Sequence, residues 1–150
     1  MPYAAETEVP VQRSKQQIEN MLKQRGASQF VSGWDEGGGE RLQFKLNHVT
    51  VRFTLPPFPD ECWKVDKGGR TLKTEWALKK KDQIDRTRWR QLYLVIKAKL
   101  EAVEAGIAVY EEEFMAFVVT NSGETIGEIV MPHLQGITSG RRRLLAGEVQ

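Results

Sequence analysis

At 150 residues, with 40% apolar, 28% charged and 9% aromatic residues and a formal net charge of +2, the chain fits one globular domain that buries a core without staples. This composition excludes wholesale disorder and a fibrous repeat. The apolar runs are too short for a membrane-spanning helix and the N-terminal MPYAAETEVPVQRSK lacks a secretory pattern, so a cytoplasmic protein is expected, and the single cysteine, Cys62, fits a reducing compartment and leaves no cysteine-based zinc cage.

After an extended start with Pro2 and Pro10, Ser14 is the expected N-cap of a first helix. That helix carries Ile18, Met21, Leu22 and Arg25 on one side and ends at Gly26. Residues 29 to 55 read as a three-stranded antiparallel meander. Gln29 to Trp34 precede Gly37, Gly38 and Gly39; Leu42, Phe44 and Leu46 then alternate with Arg41, Gln43 and Lys45; Asn47 and His48 make a tight reversal; and Val49, Val51, Phe53 and Leu55 alternate with polar residues. Pro56, Pro57 and Pro59 end the sheet. Residues 60 to 80 show no clear periodicity and read as a long mobile crossover. The strongest helical pattern runs from about Asp82 to Ala105, with Trp89, Leu92, Ile96, Leu100, Val103 and Ile107 on one stripe and Gly106 as its end. Phe114 to Val119 reads as a fourth strand and Asn121-Ser122-Gly123 as a turn. Thr125 caps a last helix with Ile126, Ile129, Val130 and Leu134, kinked by Pro132.

This order predicts an α+β fold: a small antiparallel sheet, the meander plus a fourth strand, packed against one long and two shorter helices. Residues 1–138 form the single domain, and 139–150 form a polar, disordered tail. The segments TEVPVQRSKQQIENMLKQRGASQFVSGW (7–34) and LVIKAKLEAVEAGIAVYEEEFMAFVV (94–119) resemble those of short, functionally uncharacterised proteins encoded in bacteriophage and prophage genomes. The resemblance covers about a third of the chain and implies a small intracellular viral protein acting in the host cytoplasm. It supplies no catalytic assignment, and the stretch from Pro56 to Gln83 lies outside it.

The small net charge hides a strong segregation. Residues 1–63 hold 7 Lys/Arg against 8 Asp/Glu, residues 64–99 hold 12 against 4, and residues 100–150 hold 3 against 8, the three being Arg141, Arg142 and Arg143. Such asymmetry speaks to partners and association rates rather than to fold. In the basic block, Lys64, Lys67, Arg70, Lys73, Lys79, Lys80, Lys81, Arg86, Arg88 and Arg90 are interleaved with Trp63, Trp76, Trp89 and Tyr93. Flexible cations neutralise phosphates and release counterions, while aromatic faces stack unpaired bases, so nucleic acid is the expected partner, with Trp63 and Trp76 as stacking platforms. The competing account puts Trp89 and Tyr93 in the buried stripe and leaves the lysines to solvate a loop. No zinc finger, RNP motif or helix-turn-helix is present to confer sequence specificity.

Glu101, Glu104, Glu111, Glu112 and Glu113 place five carboxylates within thirteen residues. No ExK-type lysine accompanies them, so no metal is expected; the three consecutive glutamates lead into the fourth strand, and Glu101 and Glu104 decorate the solvent face of the long helix. The alternative function is a protein-interaction module that inhibits or redirects a host protein through these acidic residues. His48 and His133 are far apart in sequence, Cys62 lacks cationic neighbours on its N-terminal side, and Gly37-Gly38-Gly39 sits between Glu36 and Glu40 and before a strand. None of these supports a catalytic centre or a phosphate loop, so neither enzyme nor cofactor is expected. Leu94, Val95 and Lys99 widen the long helix's stripe, which predicts a homodimer through helix surfaces.

Overall fold

The computed structural model describes residues 4–139, so all but the first residue of the expected tail lies outside the described residues. Helix α1 spans Val11–Gln24. It begins three residues before the expected cap: Pro10 occupies the N-cap position, its carbonyl receives the Arg13 and Ser14 amides, and Ser14 is inside the helix and fully buried. A proline there fixes an extended-to-helical entry at no hydrogen-bonding cost, because that amide would be unpaired in any case. The helix ends as expected, with Gly26 at φ +91° and Ile18, Met21 and Leu22 buried.

Strands β1 (Gln29–Trp34), β2 (Glu40–Leu46) and β3 (Val49–Leu55) pair antiparallel in the order β1-β2-β3. Asn47 and His48, at φ 50° and 65°, form the two-residue reversal between Leu46 and Val49, with the backbone twist that a right-handed hairpin needs. Leu42, Phe44, Leu46, Val51 and Phe53 enter the core, while Gln43, Thr50, Arg52 and Thr54 take the outer face. The alternation read from sequence thus fixes which face is buried.

The crossover is shorter and more ordered than expected. Helix α2 (Glu61–Lys64) follows the prolines, a bridge joins Val65 to Thr71, and helix α3 runs Thr74–Glu104, starting eight residues before Asp82. The early turns of α3 carry one buried residue, Ala77, so they lack the apolar period that marks the rest of the helix. Trp89, Leu92, Ile96 and Leu100 are buried as the stripe requires, whereas Ile107, past the turn at Gly106, is 82% exposed.

The fourth strand is replaced by helical turns. Tyr110–Glu113 form α4 and Met115–Phe117 a 3-10 turn, so Glu111 to Glu113 lie on a helix instead of leading into a strand. Val118 bridges Val51, Val119 bridges Thr125, and the Val119 amide donates to the Thr50 carbonyl at 2.8 Å. Aromatic packing overrides the strand propensity of this segment: Phe114 meets Phe44 and Phe53 edge-on, and Phe117 stacks on Phe53 at 4.3 Å. The last expected helix is broken into α5 (Ile126–Val130), a 3-10 turn at Met131–His133 that holds Pro132, and α6 (Leu134–Thr138). Its start is as expected, since Thr125 and Glu128 form a reciprocal capping box.

Candidate nucleic-acid interface

Two contacts fix α3 against one end of the sheet. The Trp89 indole donates to Glu40 Oε2 at 3.0 Å at the start of β2, and Arg88 donates to the Pro56 carbonyl just beyond β3. Lys15 of α1 completes this corner, with its ammonium 4.6 Å from the Trp89 ring centre and 3.4 Å from the Glu40 carboxylate. Asp85, one turn earlier, has its carboxyl pKa raised by burial and by Glu40, against the opposing pull of Lys81 and Arg88. N-terminal to this corner, residues 74–87 of α3 continue for about 20 Å past the sheet.

Residues 60–73 pack on that overhang and give it a defined shape. Asp66 Oδ1 accepts from the Gly68 and Arg70 amides at 2.8 and 2.9 Å, closing the turn that carries Lys67 and Arg70. The Leu72 amide donates to Lys64 O, and Lys80 Nζ donates to the Val65 carbonyl at 3.1 Å, which ties the turn to α3. Between residues 60 and 81 there are seven basic residues against four acidic ones. Lys64 pairs with Asp60 at 2.6 Å, while the side chains of Lys67, Arg70 and Lys73 have no partner among the described residues.

Each tryptophan of the lobe lies beside lysine ammonium groups. Lys64 and Lys81 lie 4.8 and 5.1 Å from the Trp63 ring centre, and Lys79 lies 4.9 Å from that of Trp76. Positions 79 and 81 differ by about 160° around the helix axis. Trp76 is itself on α3, on the face of Lys80, which bonds the Val65 carbonyl, while Trp63 lies beside Lys64 and Lys81. Trp63 is half-buried and Trp76 is 58% exposed.

Three arginines of the same block, Arg86, Arg88 and Arg90, bond other parts of the chain, whereas Arg70 is exposed. Arg86 donates to the Glu8 carbonyl at 3.1 Å and pairs with Asp82 at 2.7 Å; Arg88 packs on Phe58 as well as bonding Pro56; Arg90 bonds Gln17 of α1 and lies over Tyr93. Each staples α3 to a different part of the chain. Trp89 belongs to the core and Tyr93 is half-buried against Arg90.

The acidic residues gather at the other end of α3. Glu101, Glu111 and Glu112 are exposed, Glu104 pairs with Arg25 at 2.6 Å, and Glu113 pairs with Lys99 at 3.3 Å. The Tyr110 hydroxyl pKa is pushed up to about 12, first by burial and then by Glu111. Lys99, which the sequence places on a dimerising stripe, reaches α4 and the Phe114 and Phe117 rings; Leu94 is half-buried and Val95 is 45% exposed. Trp34, at 81% exposed, was not singled out by sequence; its position at the end of an edge strand beside glycines is the only signal it offers.

Among the described residues, no group of three or more His, Cys, Asp or Glu side chains is placed to hold a metal ion, and no helix is long and apolar enough to cross a membrane. No protein-family model, no curated protein and no solved structure matches the chain.

Proposed function

We propose that the protein binds nucleic acid with little sequence preference through the basic lobe made by α2, the 65–71 turn and the first turns of α3. The supporting observation is the overhang itself: an ordered projection with a surplus of cations, on which Lys67, Arg70 and Lys73 have no partner among the described residues. Lys64, Lys79, Lys80 and Lys81 add to its field. Ammonium groups are point charges that recognise phosphate without reading base edges, which accounts for weak specificity. Trp76, the more exposed ring, is the better stacking platform.

Fluorescence anisotropy with single- and double-stranded oligonucleotides tests this. Binding is expected at low salt, with log K falling linearly in log salt at a slope of about −0.7 to −0.9 per phosphate contact. Replacing Lys79, Lys80 and Lys81 by Glu is expected to abolish it. Absence of binding at low salt, or binding unchanged in that variant, refutes the proposal.

The exposure of Glu101, Glu111 and Glu112 at the opposite end favours a second reading, a module that engages a basic protein surface. A pull-down from lysate separates the two. A partner lost after nuclease treatment supports the first, and a stoichiometric protein that survives it supports the second.

A further inference from the structure

We infer that the protein self-associates head to tail, the basic lobe of one copy seating against the α4 end of the next. The inference is independent of nucleic-acid binding and rests on how α3 distributes charge and apolar surface. The helix is 31 residues long, about 45 Å, and separates the two ends rigidly. Its N-terminal end carries the basic lobe; beyond its C-terminal end, residues 100–140 contain no Lys or Arg at all.

Each end also leaves apolar side chains uncovered. At the basic end Trp76 is 58% and Leu78 55% exposed. Leu78 lies eleven residues before Trp89 and so within about 20° of the core stripe, but beyond the end of the sheet that covers the stripe elsewhere. At the acidic end Ile107, Val109 and Met115 are 82%, 53% and 48% exposed, and these residues surround Glu111 and Glu112 in the sequence. Apolar groups supply attraction and the framing charges select what docks on them. The surface that complements an acidic, apolar end is a basic, apolar one, and this chain presents it at the other end of the same helix. A two-fold dimer that brought the basic blocks together would instead oppose like charges. Contact between unlike ends is heterologous, so it propagates into chains or closes into a ring.

Analytical ultracentrifugation of the full chain, free of nucleic acid, tests the inference. At about 0.1 M salt the average mass is expected to rise with concentration past that of a dimer, and at about 1 M salt, where the screening length falls to roughly 3 Å, to return to the monomer. The variant with Lys79, Lys80 and Lys81 changed to Glu and the variant with Glu111→Lys and Glu112→Lys are each expected to remain monomeric, with wild-type circular dichroism. Mixed together they are expected to regain association past a dimer in one-to-one stoichiometry, because the reversed lobe of the first complements the reversed end of the second while the unreversed lobe of the second still complements the unreversed end of the first. A monomeric wild type at low salt, a mixture that stays monomeric, or self-association unaffected by either set of reversals would overturn the inference. Nucleic-acid binding by a strictly monomeric protein would overturn it while leaving the proposed function intact.

Discussion

Replacing Gly127 by alanine puts the docking of the C-terminal segment to a quantitative test. Gly127 is the second residue of α5, and a Cβ built on it lies 2.7 Å from the Ala116 carbonyl oxygen, about 0.7 Å inside ordinary contact. The neighbour is backbone and cannot swing aside. Nor can α5 slide freely: the Thr125–Glu128 capping box holds its first turn, and the Ile126 amide donates to the Val118 carbonyl at 2.9 Å. Overpacking of this kind costs about 1–3 kcal/mol. Alanine's better helix propensity and the reduced freedom of the unfolded chain return about 0.5–1 kcal/mol. The expected result is a net loss of about 1–2 kcal/mol, or a fall in melting temperature of about 2–8 °C for a chain of this size. Gly136→Ala is the matched control, since a Cβ at that helical position meets nothing within 4 Å and brings the same gain without the clash. Urea denaturation of both variants, with hydrogen exchange over residues 118–130, gives the comparison. A Gly127→Ala midpoint at or above wild type would show that α5 does not sit against Ala116 as described.

Two further predictions concern polar groups, one buried and one half-buried. Ser14 is fully buried and its hydroxyl has no hydrogen-bond partner among the described residues, so Ser14→Ala is expected to stabilise the fold by about 1 kcal/mol in urea denaturation, and a loss of that size would mean the hydroxyl is bonded. Asp85 has a folded-state pKa raised above its unfolded value by burial and by Glu40, so the ionised group opposes folding at neutral pH and this penalty disappears as pH falls below the unfolded carboxyl value. Asp85→Asn is therefore expected to stabilise the protein near neutral pH and to match wild type in acid; a benefit that grows on acidification would contradict the sign.

The legible parts of the fold are those where one periodicity meets one buried face. The meander alternates over Leu42, Phe44 and Leu46 and again over Val51 and Phe53, and its registers follow from that pattern and from the Asn47-His48 reversal. The buried half of α3 was equally readable from Trp89 to Leu100. What sequence alone did not show was decided by contacts distant in the chain. The overhanging half of α3 has solvent, the 60–73 lobe or the carbonyls of residues 5–8 around it in place of a sheet, so its composition is polar and its period is lost. Phe114 to Val119 is rich in aromatic and β-branched residues like a strand, yet Phe114 and Phe117, three apart, both turn toward Phe53, and the helical turns follow from that packing. Within the candidate site, composition identified the basic block but could not divide it. The division depends on carbonyls at Glu8 and Pro56 and on Gln17, between 32 and 78 residues away in sequence.

That division has a physical basis in the two side chains. Arg86, Arg88 and Arg90 carry planar forks that bond a carbonyl or amide oxygen with one edge while pairing with a carboxylate or lying over a ring. At these three joints the planar fork of arginine holds both contacts in a fixed geometry; Lys99, at the α4 end, makes a comparable pair of contacts with Glu113 and the Phe114 and Phe117 rings through one ammonium group. The overhang is dominated by lysines, whose flexible ammonium groups bind phosphates without fixed geometry. Fold and binding are therefore expected to separate by residue. Arg90→Gln removes a charged donor from Gln17 and the cation over Tyr93, and should lower stability by about 0.5–1.5 kcal/mol, near the lower figure given its partial exposure. Its oligonucleotide affinity, measured well below the unfolding midpoint, should change less than about twofold, since this arginine is turned toward α1. The triple Lys79, Lys80, Lys81→Glu variant should stay folded with binding lost, its stability lowered by about 1–2 kcal/mol because the Lys80–Val65 bond and the cations over Trp63 and Trp76 go with the reversal. If Arg90→Gln weakened binding as strongly as the lysine reversals while leaving stability untouched, the arginines would be phosphate contacts and the division drawn from their hydrogen bonds would be wrong.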